Sequence, residues 1–237
     1  MSKPTFILTD IEGTTTSVSF VYDVLFPYFR ENIQKVRTML HLPEVQASFQ
    51  ETIRLTHETE NKIITTEEEV IETLMRWSNE DKKITPLKDL QGILWKEAYE
   101  TGTIKGHVYE DVAPALKTCK DAGIQLGVFS SGSIAAQKLI FGYSVAGDLT
   151  PYFSAYFDTT TGGKRDVETY IKISQLLKVS PSDILFLSDI VEELQSADQA
   201  EFQTIQLVRP GTTANWKHTA NSFSDILRTD AMFRVST

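Results

Sequence analysis

Five short, almost uninterrupted apolar runs do most to limit what this chain can become. They are Thr5–Asp10 (TFILTD), Ile124–Ser130 (IQLGVFS), Ala155–Asp158 (AYFD), Ile184–Asp189 (ILFLSD) and Thr204–Val208 (TIQLV). A strand with one wet face alternates apolar and polar residues. A continuous run suits a strand buried on both faces, and hence a parallel sheet covered by helices. Helical spacing fills most gaps between the runs. Asp111 is placed to cap a helix whose inner face carries Val112, Leu116 and Cys119, with Pro114 in the first turn and Gly123 as the stop. Val167, Tyr170, Ile171 and Leu177 repeat the pattern. The expectation is an α/β fold with a doubly wound parallel sheet.

One gap does not fit a simple crossover. More than a hundred residues separate Asp10 from Ile124, far more than one connecting helix needs. This stretch carries helical signals of its own. Thr66 to Glu69 (TEEE) is a capping-box pattern followed by Val70, Leu74 and Trp77 on one face. Thr85 and Pro86 open another helix, with Leu87, Leu90, Leu94 and Ala98 facing inward. Val21, Val24, Leu25, Tyr28 and Phe29 mark a first helix. The expected organisation is a core domain from residues 1–17 and 107–237 and a helical cap domain, 18–106, inserted after the first strand.

The composition narrows the function. Of 237 residues, 32 are Asp or Glu and 23 are Lys or Arg, a formal net charge of -9, so general binding to nucleic acid or an anionic membrane is disfavoured by repulsion. The lone Cys119 can form no intramolecular disulfide, and its place in apolar register makes it a buried structural thiol. The opening MSKPTFILTD lacks the longer apolar stretch and cleavage site of a secretory signal. No window approaches the ~20 apolar residues of a membrane helix. A soluble, cytoplasmic protein is expected.

Ligands of open parallel sheets bind beyond the carboxyl ends of the strands, and three of the runs end in residues suited to phosphate chemistry. The first leads through Asp10 into Ile11, Glu12, Gly13, Thr14 and Thr15. The second ends in Ser130, Ser131, Gly132 and Ser133. The fourth ends in Ser188 and Asp189, with Glu192 and Glu193 beyond. Each has a plainer reading. Asp189 alone could be a helix cap, the serines a turn, and Glu192 and Glu193 complements to a helix dipole. Their meeting at one sheet edge favours chemistry. A phosphate dianion repels a carboxylate unless a divalent cation intervenes, and Mg²⁺ takes oxygen ligands such as Asp10 and Asp189. Ser130, with the backbone N–H groups of Ser131 and Gly132, could cradle phosphate oxygens at a helix start. Lys164, in TGGKRD, is either a solvated surface lysine or an ammonium for the same phosphate; Arg165 is the weaker candidate.

These residues resemble the four short motifs of the haloacid dehalogenase-like hydrolase superfamily. The nucleophile motif matches Asp10-Ile11-Glu12-Gly13-Thr14, the hydroxyl motif Ser130, the lysine motif Lys164, and the acidic motif Asp189 with Glu193. Glu12 departs from the Asp common two residues after the nucleophile. Together with DIEGTTT, SFVYDVLFPYF, VFSSGS, AQKLIFGYS, YFDTTTGGKRDVETY, ILFLSD and LVRPGT, it makes the chain similar to the enolase-phosphatase (acireductone synthase) family of methionine salvage.

The resemblance implies enolisation of 2,3-diketo-5-methylthiopentyl-1-phosphate, then dephosphorylation to the acireductone and phosphate. Asp10 would be the nucleophile and Glu12 the acid and base. Ser130, Ser131 and Lys164 would hold phosphate, and Asp10, the Glu12 carbonyl and Asp189 would hold one Mg²⁺ per chain. The methylthio tail needs an apolar slot, for which Phe20, Tyr22, Phe26 and Tyr28 are available, though most suit a helix core. His41, His57, His107 and His218 lack metal-ligand pairing and read as surface or structural. A monomer is expected. The alternatives are a capped magnesium-dependent phosphatase or phosphomutase for a small sugar phosphate, a binding protein without turnover, and a metal-free dehalogenase.

Overall fold

The computed structural model describes residues 3–228; residues 1–2 and 229–237, the ends of the expected core domain, lie outside the described residues. The chain divides into two compact units. One takes in the chain up to Val18 and resumes at Lys105, and the other is Ser19–Ile104.

Among the described residues the discontinuous unit holds one sheet of six strands: β1 (Phe6–Thr9), β2 (Gln125–Phe129), β3 (Ala155–Phe157), β4 (Ile184–Ser188), β5 (Gln203–Leu207) and β6 (Thr219–Ala220). Their order is β3-β2-β1-β4-β5-β6, and every pairing is parallel. The two-residue β6 was not among the expected strands, because it has no apolar run to announce it. Chain reversal at β1, where the order turns from β2 and β3 toward β4 and β5, makes this central strand the topological switch point.

Helices Val112–Asp121, Ile134–Gly142, Val167–Leu177 and Val191–Gln199 connect or flank the strands. Phe6, Leu8, Phe129, Ile173, Phe186 and Leu194 pack in one cluster with Tyr170 at its centre. The Tyr170 ring meets Phe129, Phe186 and Phe202 edge-on at 5.8, 5.3 and 5.7 Å between centroids, pairs worth about 0.5–1.5 kcal/mol each beyond their burial. Its hydroxyl donates to the Lys164 carbonyl at 2.6 Å. Core packing thus reaches directly into the lysine loop.

Asp111 does not cap its helix with its side chain. Its carboxylate is engaged instead by Arg209, at 3.0 Å to each oxygen, and accepts the Phe223 N–H at 2.7 Å. A bidentate guanidinium is the stronger partner for a carboxylate. Cys119 is buried, and burial pushes its thiol up to about 11, so it stays protonated and inert.

The Ser19–Ile104 unit is helical. Val18–Phe20, Val21–Leu25, Phe26–Asn32 and Ile33–Met39 form one path that varies in winding, rather than the single regular helix expected. The Phe26 N–H reaches back five residues to the Val21 carbonyl. This wide turn falls just before Pro27, which has no N–H for the ordinary ladder. The Trp95 indole donates to the Leu25 carbonyl at 2.8 Å. Val24 is exposed, whereas Val21, Leu25 and Phe29 are buried.

Thr66 and Glu69 form both bonds of the capping box, at 3.3 and 3.0 Å. Leu74, Trp77, Leu90 and Leu94 make this unit's own core. Of the four aromatics considered for the apolar slot, Phe20 and Phe26 are buried, Tyr28 is half-buried and Tyr22 is exposed. Among the described residues, no helix is long and apolar enough to cross a membrane.

Candidate active site

The ladder places the polar strand ends beside one another. Thr9 is level with Val128 on β2 and with Leu187 on β4. Asp10 therefore projects past the rim between the chain continuing to Ser130 and the chain continuing to Asp189. Neighbouring strands lie about 4.8 Å apart, so the three residues converge without help from long side chains. The Asp10 N–H donates to the Leu187 carbonyl at 2.9 Å, extending the ladder by one step.

Lys164 is not a surface lysine. It is 8% exposed, with its ammonium 2.7 Å from Asp10 Oδ1 and 2.6 Å from Glu193 Oε2. Burial alone would depress its pKa, but Asp10 and Glu193 outweigh burial and hold it above the ordinary lysine value. Glu193 is also no simple complement to a helix dipole. It is buried, accepts from the Ser188 hydroxyl at 2.8 Å, and is pushed up to about 7, first by burial and then by Asp10. Sequence order hid this pairing, since an acid in a first helical turn ordinarily faces solvent. Arg165 is exposed.

After β1 the chain turns tightly. The N–H groups of Thr14, Thr15 and Thr16 all point to the Ile11 carbonyl, at 3.2, 2.9 and 2.9 Å. Gly13 has φ +72°, and a Cβ there would collide with the Asp189 carboxylate. The Asp189 N–H donates to Thr14 Oγ1 at 3.1 Å, and the Asp189 carbonyl accepts from Gln206 at 3.0 Å. Asp189 is not the helix cap; Ile190 occupies that position. His107 anchors the same turn, its Nδ1 accepting the Ser17 N–H at 3.1 Å. Burial, then Arg209, lowers its pKa, which favours the neutral ring.

The Asp189 carboxylate is the group best suited to a cation. Its Oδ1 is buried with no hydrogen-bond partner among the described residues. Burial, then Asp10, with Glu12 adding a smaller push, raises its pKa to about 7. A buried carboxylate oxygen without a donor, among other acids, is stabilised by a hard divalent ion. Among the described residues, no three His, Cys, Asp or Glu side chains gather as a metal cluster. Two carboxylates supplemented by a carbonyl need no such cluster.

On the other flank, Ser130 is 4% exposed and its Oγ accepts the Gly132 N–H at 3.4 Å. Ser131 is half-buried. Ser133 caps the helix Ile134–Gly142 by accepting the Ala136 N–H. The loop thus presents hydroxyls and N–H groups at a helix N-terminus, where anions are favoured. Gln137, which no sequence motif marks, holds this loop. Its buried amide donates to the carbonyls of Gly132 and Phe157 at 2.9 and 2.8 Å.

Comparisons with known proteins agree with this arrangement. Residues 5–201 match the family model described as haloacid dehalogenase-like hydrolase. Enolase-phosphatase E1 of Picosynechococcus sp. is 54% identical over 213 residues, 90% of this chain and 93% of that protein. Enolase-phosphatase E1 of Pseudomonas fluorescens is 50% identical over 221 residues, 93% of this chain and 96% of that protein. The crystal structure of the UTR4 protein of Saccharomyces cerevisiae is similar with a TM-score of 0.75 at 31% identity, covering 93% of this chain and 99% of that one.

Proposed function

This chain belongs to the haloacid dehalogenase-like hydrolases and, within them, to the enolase-phosphatases, and from that membership we propose that it converts 2,3-diketo-5-methylthiopentyl-1-phosphate to the acireductone and inorganic phosphate. The observation that carries the phosphatase half is the buried Lys164 ammonium, in contact with Asp10 and Glu193 at the strand rim. Sequence identity over nine-tenths of the chain supports the choice of substrate.

In this reading one Mg²⁺ would be held by Asp10, Asp189 and the Glu12 carbonyl. When bound it supplies the positive charge that lets a phosphate dianion approach a carboxylate. Asp10 attacks phosphorus, forming a P–O bond to its carboxylate as the bond to the enol oxygen breaks. Glu12 gives its proton to that departing oxygen. It then takes a proton from the water that attacks the acyl phosphate, so that phosphate leaves and Asp10 is restored. Lys164, Ser130 and the N–H groups of Ser131 and Gly132 follow the charge on the phosphoryl oxygens. Glu193 and Ser188 keep the ammonium aimed.

The test is phosphate release and acireductone absorbance with the diketo phosphate, run beside a panel of sugar phosphates. Asp10→Asn should lose at least about a thousandfold in turnover. Faster hydrolysis of a sugar phosphate than of the diketo compound would overturn the substrate assignment, and full activity in Asp10→Asn would overturn the nucleophile.

A further inference from the structure

We propose that Arg209, on the loop after β5, is a positioning residue for the chemistry at Asp10 and Asp189; this rests on the phosphatase reading above. The side chain is 6% exposed and every nitrogen of its fork is used. Nη1 and Nη2 meet the two Asp111 oxygens at 3.0 Å each, and Nη1 also donates to the Asn221 carbonyl at 3.3 Å. Nε donates to the Thr14 carbonyl at 3.0 Å. The guanidinium carbon lies 4.1 Å from the centroid of the Tyr109 ring.

A buried ion pair alone is weak evidence of a stabilising role. The informative bond is the one to Thr14, because Thr14 receives from two sides. Its carbonyl takes Arg209 Nε, while its hydroxyl takes the Asp189 N–H at 3.1 Å. Thr14 is fully buried, so neither bond can be exchanged for water. Tyr109, under the guanidinium face, donates its own N–H to the adjacent Thr15 carbonyl at 3.0 Å. Arg209 therefore grips the turn that follows Asp10 from outside, and through Thr14 fixes where the chain carrying Asp189 crosses it. The spacing of the two carboxylates follows from that grip. Displacements of about 1 Å at a reacting centre are enough to cost on the order of a hundredfold in rate.

The experiment measures phosphate release, Mg²⁺ binding by calorimetry without substrate, and Tm. Arg209→Lys keeps a charge for Asp111, but one ammonium cannot serve Asp111 and Thr14 in the geometry of a planar fork. Its kcat should fall on the order of 10- to 100-fold with KM within about threefold, and its Mg²⁺ dissociation constant should rise by about tenfold. Ile124→Ala, a buried position at the amino-terminal end of β2 and away from the rim that carries Asp10, should lower Tm while leaving kcat and Mg²⁺ binding at wild-type values. Thr14→Val cuts the link to Asp189 without touching the Arg209–Asp111 pair, and should reproduce the losses of Arg209→Lys; Thr14→Ser restores the hydroxyl and should recover them.

Wild-type kcat and Mg²⁺ affinity in Arg209→Lys or Thr14→Val overturns the inference. So does a fall in kcat for Ile124→Ala that tracks its Tm as closely as Arg209→Lys does. Absence of Mg²⁺-dependent phosphate release by the wild-type enzyme would instead defeat the underlying reading of the site.

Discussion

Without divalent metal, this protein should lose stability as pH rises from about 5 to about 8, and Asp189 should be responsible for about half of the slope. An ordinary aspartate has a pKa of 3.8, and Asp189 is pushed up to about 7 by burial, then Asp10. Between those values the folded form holds a proton that the unfolded chain has given up. The folded form therefore binds more protons, and stability falls with increasing pH until Asp189 ionises. At about 1.4 kcal/mol per pH unit, the raised value costs about 4 kcal/mol in full, of which about 3 kcal/mol is lost between pH 5 and pH 8. For a chain of this length about 1 kcal/mol moves Tm by roughly 2–4 °C, so the loss is on the order of 10 °C. The assay is thermal unfolding in EDTA at pH 5, 6, 7 and 8, for wild type and Asp189→Asn. Glu193, raised to about 7 by burial and Asp10, contributes a slope of the same sign that survives in Asp189→Asn, so the difference between the proteins isolates Asp189. Addition of Mg²⁺ at one hundred times its dissociation constant should return about 2.7 kcal/mol at pH 8. A wild-type Tm that rises with pH in EDTA, or an Asp189→Asn slope equal to the wild-type slope, would refute the reasoning.

Two further substitutions probe the charge balance and the turn. Lys164→Met leaves Asp10 and Glu193 facing each other, both buried, without a cation between them; it should cost about 3–5 kcal/mol at pH 8 in chemical unfolding, and less near pH 5, where Glu193, already raised to about 7, is protonated. Gly13→Ala places a methyl group against the Asp189 carboxylate at φ +72°; it should reduce phosphate release at least about tenfold and weaken Mg²⁺ binding measured by calorimetry.

Much of this was legible in the sequence because burial on both faces leaves continuous apolar runs. Five of the six strands announced themselves in that way, each ladder stopping within a residue or two of its run. The capping box at Thr66 and Glu69 was legible because its two bonds are local. What escaped notice depended on distant partners. Asp111 reads as a cap until Arg209, 98 residues further on, is seen to claim its carboxylate. Glu193, which the family resemblance places in the acidic motif, reads from its local sequence alone as a dipole complement until the strand order brings Lys164 to it. A usable signal for Arg209 did exist. It stands just past β5, so the rule that singled out Asp10, Ser130 and Asp189 at their strand ends could have been applied to the fifth strand as well.

The site's charge arithmetic explains why these residues belong together. Asp10, Glu12, Asp189 and Glu193 bring four carboxylates to one rim, and Lys164 is the ammonium that the fold places in contact with two of them. Lys164 serves Asp10 and Glu193, which leaves Asp189 with a buried oxygen and no donor among the described residues. Protonation can relieve Asp189, as its raised pKa indicates, but a protonated acid would sacrifice the negative charge that binds a cation. A second ammonium would neutralise it as well, yet would bind it directly and close the space beside Asp10. A small divalent ion neutralises two carboxylates while still accepting a phosphate oxygen. The proposed requirement for metal therefore follows from how the acids are divided: Glu193 takes its share of Lys164 in aiming the ammonium, and Asp189 is left as the carboxylate that a cation can satisfy without removing its charge.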